Sequence, residues 1–472
     1  MPTSDGTRRW WATLSEAISS RIWPLPVAAI IAAVIAGVLL PLLDAAVDEQ
    51  LPPWLGALLF SGGTEAARAV LTTISGSLIT ATSLTFSLTV VALQLASNQA
   101  SPRVLRQFAS DGMVHLTLAI FLGTFAYALT VLRTVEDAGD RVPRIAVTVA
   151  FGLTLASVVV LVLFLAHLAS RLRVETMLRD VHRETARTIA LVGADDRATA
   201  PAPERPGDAR QILARHSGFV VGIDRDRVIA AAREHGVVVR ELRDMGASVI
   251  EATPLAEWWP AQARPAAARD GAADAEAGVA ADTEARTDGG TRADRAALER
   301  AVVEAYHVGY ERTAPQDVGF GLRQIADIAT KALSPGVNDP TTAVHALSHV
   351  AALLGDIAEL PEQPAAYADE DGTARLVPRG HEFASLVEVG IQQARRYGAA
   401  DPDVAARLFG LLEDVGRRVS RPDQRIVLAR QLDRLVASVD AEAYDPHERA
   451  VFAELAARVR SVLDRPAAST SV

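Results

Sequence analysis

The chain has 472 residues, of which 50% are hydrophobic and 22% charged, and it contains no cysteine. Its net charge of −10 excludes the basic field that non-specific nucleic-acid binding requires, so no nucleic-acid partner is expected. Disulfides, thiolate metal sites and cysteine nucleophiles are excluded outright.

Apolar residues crowd ahead of Leu172 and charged residues follow it. A bilayer core takes about 20 apolar residues in helical form. Four segments reach that length without an internal charge: Ile22–Leu43, Ala69–Ala96, Met113–Leu132 and Ile145–Leu168. The first follows Arg8, Arg9 and Arg21, as a signal peptide would. Its apolar run is too long for that, and no small-residue cleavage site follows, so it reads as a retained anchor. Positive charge gathers at the N-terminal tail, at Arg103 and Arg106 in the second loop, and at Arg171, Arg173 and Arg179 after the last span. With four spans these share one side, which places both termini in the cytoplasm. The Ala- and Arg-rich, Lys-poor composition suits a bacterial source, hence a multi-pass protein of the inner membrane.

The second span differs from the others. Thr73, Ser77, Thr80, Ser83, Ser87, Gln94 and Asn98 share an arc of about 120° at the helical period of 100° per residue. Two readings stay open. The stripe lines a polar pore, or its hydroxyls bond back to helix carbonyls and allow close packing. His115 and His167 sit near the ends of the third and fourth spans, too few for a metal site, and read as interfacial histidines. Ala119 and Gly123 form a small-residue packing step on the third span.

Beyond the spans, Leu172–Ala198 has a helical pattern and 201–208 is a break. His216–Val221, Gly236–Val239 and Gly246–Thr253 read as strands, with a helix at Asp224–His235 capped by Asp224. Together they predict a small, barrel-like α+β module over 171–260. Residues 261–294 are low-complexity Ala, Asp, Gly, Glu and Thr, expected to be a disordered linker. From 295 to 465 the pattern is all helical: Ala296–Arg312, Asp317–Leu333, Thr341–Leu360, His381–Tyr397, Asp403–Val419, Pro422–Val439 and Pro446–Leu463. A hairpin at Glu370-Asp371-Gly372 interrupts them, and Asp-Pro pairs signal several starts. Residues 1–21 form a cytoplasmic tail and 466–472 a disordered one. The predicted class is therefore an α-helical integral membrane protein with four transmembrane helices, a small α+β module and a cytoplasmic helical domain.

Candidate chemistry is sparse. Ser334, Gly336, Asn338, Asp339 and Thr341 lie in a helix-joining loop whose amides would hold an anion or face a partner. The structural alternative is Asp339 as a cap, with Gly336 and Asn338 supplying unusual backbone angles. Glu311, Arg312 and Thr313 with Gln316, Asp317 and Arg323 suggest a polar network at a contact. His381-Glu382 lacks the second histidine of a zinc motif, and no phosphate loop or nucleophile elbow occurs. No catalytic residue, cofactor or metal is expected, and the chain does not read as an enzyme.

Two stretches carry a resemblance: SLTFSLTVVALQLASNQASPRVLRQF at Ser83–Phe108, running on to FLGTFAYALTVLRTV at Phe121–Val135, and FGLRQIADIATKALSPGVNDPTTA at Phe320–Ala343, preceded by ERTAPQD. They resemble the bacterial membrane proteins called the domain of unknown function 2254 family. The match covers most of the chain except the linker and termini, and the Ala/Asp-rich insert departs from it. It implies the layout above and no particular activity. The functional expectation is an oligomeric channel-like or transport-related protein, its second span lining a polar pathway. The alternative is a non-conducting sensor or scaffold whose cytoplasmic domain binds a partner or small ligand. The bilayer and further copies of the chain are the expected partners; an ion, a small ligand or a second protein stay open.

Overall fold

The computed structural model describes residues 23–47, 59–99, 111–137, 142–171, 173–261, 287–312, 316–380 and 382–465. The chain divides into two units, Met1–Met177 and Leu178–Val472.

The first unit holds α1 (Pro24–Val47), α2 (Thr64–Gln99), α3 (Gly112–Asp137) and α4 (Arg144–Arg171). All four are long and apolar enough to cross a membrane. They overrun the expected spans: α2 reaches back to Thr64 and takes Glu65 and Arg68 into its first turns. The inner helix is α3, more than half buried, whereas less than a fifth of each other helix is. Small residues let α1 approach it. A Cβ on Gly123 would lie 3.5 Å from the Ala29 carbonyl oxygen, and one on Gly37 only 2.8 Å from Thr130 Cβ. Phe121, Tyr127 and Val131 of α3 interlock with Leu71 and Leu78 of α2 and Val147 of α4. Outward-facing Ile31, Ile35, Leu42, Phe151, Val158 and Val162 are each more than half exposed. Hydrocarbon solvates such a surface, and helices keep its backbone groups satisfied.

One end of this unit is fastened by polar groups. The Asp44 carboxylate accepts from the amides of Ile145 at 2.7 Å and Ala146 at 3.4 Å. It thus sits at the positive end of the α4 dipole. The Tyr127 hydroxyl donates to the Ala146 carbonyl at 3.0 Å, and Arg144 Nε donates to the Phe60 carbonyl at 2.9 Å.

The second unit begins within α5 (Val174–Gly193), shorter than the predicted 172–198 helix. Its strands are β1 (Thr199–Ala200), β2 (Arg210–Leu213), β3 (Gly218–Ile223), β4 (Val237–Glu241), β5 (Ser248–Val249), β6 (Pro254–Pro260), β7 (Tyr306–Gly309), β8 (Ala366–Ala368) and β9 (Ala374–Val377). Its remaining helices are α6 (Arg225–Glu234), α7 (Thr287–Ala305), α8 (Val318–Ala332), α9 (Pro340–Ala358), α10 (Phe383–Gly398), α11 (Pro402–Arg418), α12 (Pro422–Asp440) and α13 (Pro446–Leu463).

The strands form a six-stranded sheet, ordered β1-β8-β9-β4-β6-β2, and a three-stranded sheet, ordered β5-β3-β7. Among the described residues every strand pairing is antiparallel except β4 with β9, which sets Val239 against Leu376. Val228, Val237, Val239, Leu255, Trp258, Leu298 and Val302 build the core between sheet, α6 and α7. Helices α8 to α13 pack on Leu353, Leu354, Leu408, Leu412, Val415 and Leu435, all fully buried.

Four expectations need correction. The barrel-like module is an open sheet that takes β8 and β9 from the C-terminal part of the chain. The region from 295 onward is accordingly not all helical. The predicted helix Ala296–Arg312 stops at Ala305, and Tyr306–Gly309 turns into β7, which pairs with β3. Of the predicted linker, 262–286 lies outside the described residues, while Thr287–Asp294 is helical. The predicted strand Gly246–Thr253 is reduced to Ser248–Val249, and the longer strand follows at Pro254–Pro260.

Candidate functional site

The packed side of α2 is made by Ala67, Leu71, Ile74, Leu78 and Ala92, all buried. At the helical period this leaves Thr73, Ser77, Thr80, Ser83, Ser87 and Gln94 on the opposite side, and all six are exposed. The side chain of Asn98 lies outside the described residues. Four hydroxyls donate back along the helix: Thr73 to the Ala69 carbonyl at 2.7 Å, Ser77 to Thr73 at 2.6 Å, Thr80 to Gly76 at 3.0 Å and Ser83 to Ile79 at 3.0 Å. Each spends its proton on its own helix and turns oxygen lone pairs outward. The stripe is therefore an uncharged row of acceptors on the outside of the four-helix unit. The structure brings its six described members together on one face and buries none of those six against α1, α3 or α4.

At one end of the same unit, His167 Nε2 lies 2.7 Å from Asp111 Oδ2, and Arg171 Nε lies 3.4 Å from that oxygen. His115, one turn beyond Asp111, is buried, and its Nε2 has no partner among the described residues. Of the two histidines foreseen in the sequence, His167 bonds this carboxylate, and the backbone amide of His115 bonds the Asp111 carbonyl. No group of three metal-ligating side chains is arranged to hold an ion among the described residues.

The loop before α9 is built as a capped helix start. The Asp339 carboxylate accepts from the Thr342 amide at 3.0 Å and the Thr342 hydroxyl at 2.6 Å. These bonds, the hydroxyl's first, hold its pKa below the usual carboxylate range. Asn338 takes a left-handed φ of 48°, as expected, but Gly336 does not. The Ser334 hydroxyl donates to the Lys331 carbonyl at 2.7 Å. Gly336 and Thr341 are exposed. A carboxylate already occupies the position an anion would take at this helix start.

The Arg312 network is internal to the second unit. Arg312 Nη2 and Nε donate to Asp317 Oδ2 at 2.6 and 3.0 Å, and Asp317 Oδ1 caps α8 through the Phe320 amide at 2.9 Å. Gly246, at φ +74°, closes over the pair: a Cβ there would lie 2.0 Å from Asp317 Oδ2. Gln316 accepts from the Ile223 amide at 3.3 Å. Glu311 is exposed and Arg323 half-buried. Thr313 lies outside the described residues.

Two polar clusters were not foreseen. On α6 and β4, Arg225 forms a bidentate pair with buried Glu241 at 2.9 and 3.0 Å, and the Arg379 amide donates to Glu241 at 2.8 Å. Between α5 and α9, His182, His345 and His349 bring their rings together. The one-turn spacing of His345 and His349 is visible in the sequence; the arrival of His182, 167 residues before His349, is not.

The family model described as "Predicted membrane protein (DUF2254)" matches residues 19–414. An uncharacterized protein of Mycobacterium bovis is 32% identical over 467 residues, covering 95% of this chain and 82% of its own length. An uncharacterized protein of Mycobacterium tuberculosis matches with the same identity and coverage. No solved structure matches the chain.

Proposed function

The chain belongs to the DUF2254 family of predicted membrane proteins, and from that premise we propose that it is an oligomeric, channel-like protein in which α2 of several copies lines a polar pathway. The reading is carried by one observation: the hydroxyl stripe of α2 points away from its own four-helix unit. Three helices pack around α3, whose Phe121, Tyr127 and Val131 fill the centre of the unit among the described residues, so a pathway needs further copies of the chain. A row of Ser and Thr facing lipid would gain little, whereas the same row facing its symmetry mates would be wetted. Thr73, Ser77, Thr80, Ser83, Ser87, Gln94 and Asn98 are the proposed lining.

The proposed setting is the bacterial inner membrane, with both termini and the second unit in the cytoplasm. The clustering of Arg residues at the N-terminal tail, the second loop and the exit of α4 supports that orientation. The test is ion flux through liposomes holding the purified protein. Flux should be measurable for the native chain and fall at least tenfold in Ser83→Leu and Ser87→Leu, which are exposed and so compatible with folding. Absence of flux in every salt would transfer the assignment to a non-conducting sensor or scaffold.

A further inference from the structure

Helices α5 and α9 run alongside one another in step. His182 of α5 meets His349 of α9 with ring centroids 4.9 Å apart. Further along, a Cβ on Gly193 of α5 would touch Leu360, just beyond α9, at 2.9 Å. On its other flank α5 is pinned to α8, where a Cβ on Gly321 would lie 1.9 Å from the Thr185 hydroxyl. Within this close-fitting seam stand three imidazoles. His345, one turn before His349, has its ring centroid 5.2 Å from it. The Nδ1 of His182 is buried with no hydrogen-bond partner among the described residues.

We propose that His182, His345 and His349 form an acid-released latch between α5 and α9: the three rings pack together while His349 is neutral, and a proton on His349 parts the two helices. An imidazolium is stabilised by a carboxylate partner and destabilised by like charge. The neighbouring imidazoles of His182 and His345 oppose a positive charge on His349. Other ionisable groups stand on the surrounding elements. On α5, Asp180 is paired with Arg183. On α8 stand Arg323 and Asp327. On α10, Glu388 is held by Arg434, and on α11, Arg418 is held by Asp356 and Glu359. Burial first, then the two neighbouring imidazoles, brings the His349 pKa from 6.5 down to about 4.

The direction follows from linkage. A histidine whose folded pKa lies below its unfolded value contributes its full stability above the unfolded value, and loses it as pH falls toward the folded one. The α5–α9 contact should therefore be intact above about pH 6.5 and weaken progressively toward pH 4. Since α5 is the first helix after α4 in the chain, its release alters the tether that follows the fourth span. The latch does not depend on the channel reading.

The absence of native cysteine makes the test direct. Spin labels on an Arg187→Cys, Ser348→Cys chain, both positions exposed, report the α5–α9 distance in the full-length protein in nanodiscs with chelator present. Lowering the pH from 8 to 5 should shift the distribution to longer distance, with amide exchange rising along Val181–Ile189. The shift should shrink in His345→Gln, an exposed site that tolerates the change, and vanish when His349→Gln is added. An acid-insensitive distance in the native-histidine chain overturns the proposal, as does the same shift in the double glutamine variant. A change that appears only on adding Zn²⁺ would overturn it in favour of a metal site.

Discussion

The second unit commits a charge to its interior at Arg225. Burial works against the guanidinium, but the bidentate bond to Glu241 outweighs it and holds the Arg225 pKa above its usual value. Glu241 is itself fully buried and also accepts from the Arg379 amide, so it ties α6, β4 and the segment after β9 to one point. Removing one partner of a buried pair leaves the other uncompensated, at a cost of roughly 3–5 kcal/mol. Glu241→Gln should therefore lower the apparent melting temperature by on the order of 10 °C at 2–4 °C per kcal/mol. Glu304 pairs with Arg227, but both side chains are about half exposed. Water and salt screen such a pair, so Glu304→Gln should melt within about 2 °C of the native chain. A thermal melt of the three proteins side by side checks the contrast. Equal melting temperatures would mean that the Arg225 site relaxes to admit water.

At the scale of the element, α3 depends on glycine at its crossing with α1. A single methyl at Gly37 must displace Thr130, whereas Gly152 of α4 has open space around its Cβ position. Gly37→Ala should destabilise the detergent-solubilised protein by about 1–3 kcal/mol through overpacking. Gly152→Ala should be neutral or slightly stabilising, since Ala favours helix over Gly by about 1 kcal/mol. Unfolding followed by tryptophan fluorescence separates the two, and a neutral Gly37→Ala would show that the crossing is looser than its geometry.

Elements of this kind were largely legible beforehand. Twenty apolar residues in a row have few alternatives, and Asp224, Asp339, Asp401 and Asp445 announce helix starts by their own chemistry. Among the strands that escaped, β7 shows the reason. Ala305-Tyr306-His307-Val308 continues a helical apolar period, and only pairing with β3 draws it into a strand. Likewise the outward direction of the α2 stripe could not be read from spacing, because the period gives the face and not its neighbour.

At the scale of the whole molecule, the divisions suggested by composition do not match those of the sheet. Strand β4 lies before the low-complexity segment and its parallel partner β9 far beyond it. A fragment spanning Leu178–Val472 should fold and melt cooperatively, while Arg295–Asp464 alone should expose the edge of β9 and aggregate. Circular dichroism and size-exclusion chromatography of both fragments test this, and a monodisperse, cooperatively melting Arg295–Asp464 would overturn it. The same topology also sets a schedule for synthesis. Arg375 reaches the Val237 carbonyl across 138 residues of chain. At ribosomal rates that interval is on the order of ten seconds, during which β4 has emerged without its neighbour. All four apolar helices are already made by then. A nascent chain at that stage carries one unpaired strand flank, an open template for any other extended segment nearby. Proteostasis factors that shield strand edges should matter most for this protein in that interval, between the emergence of β4 and that of β9.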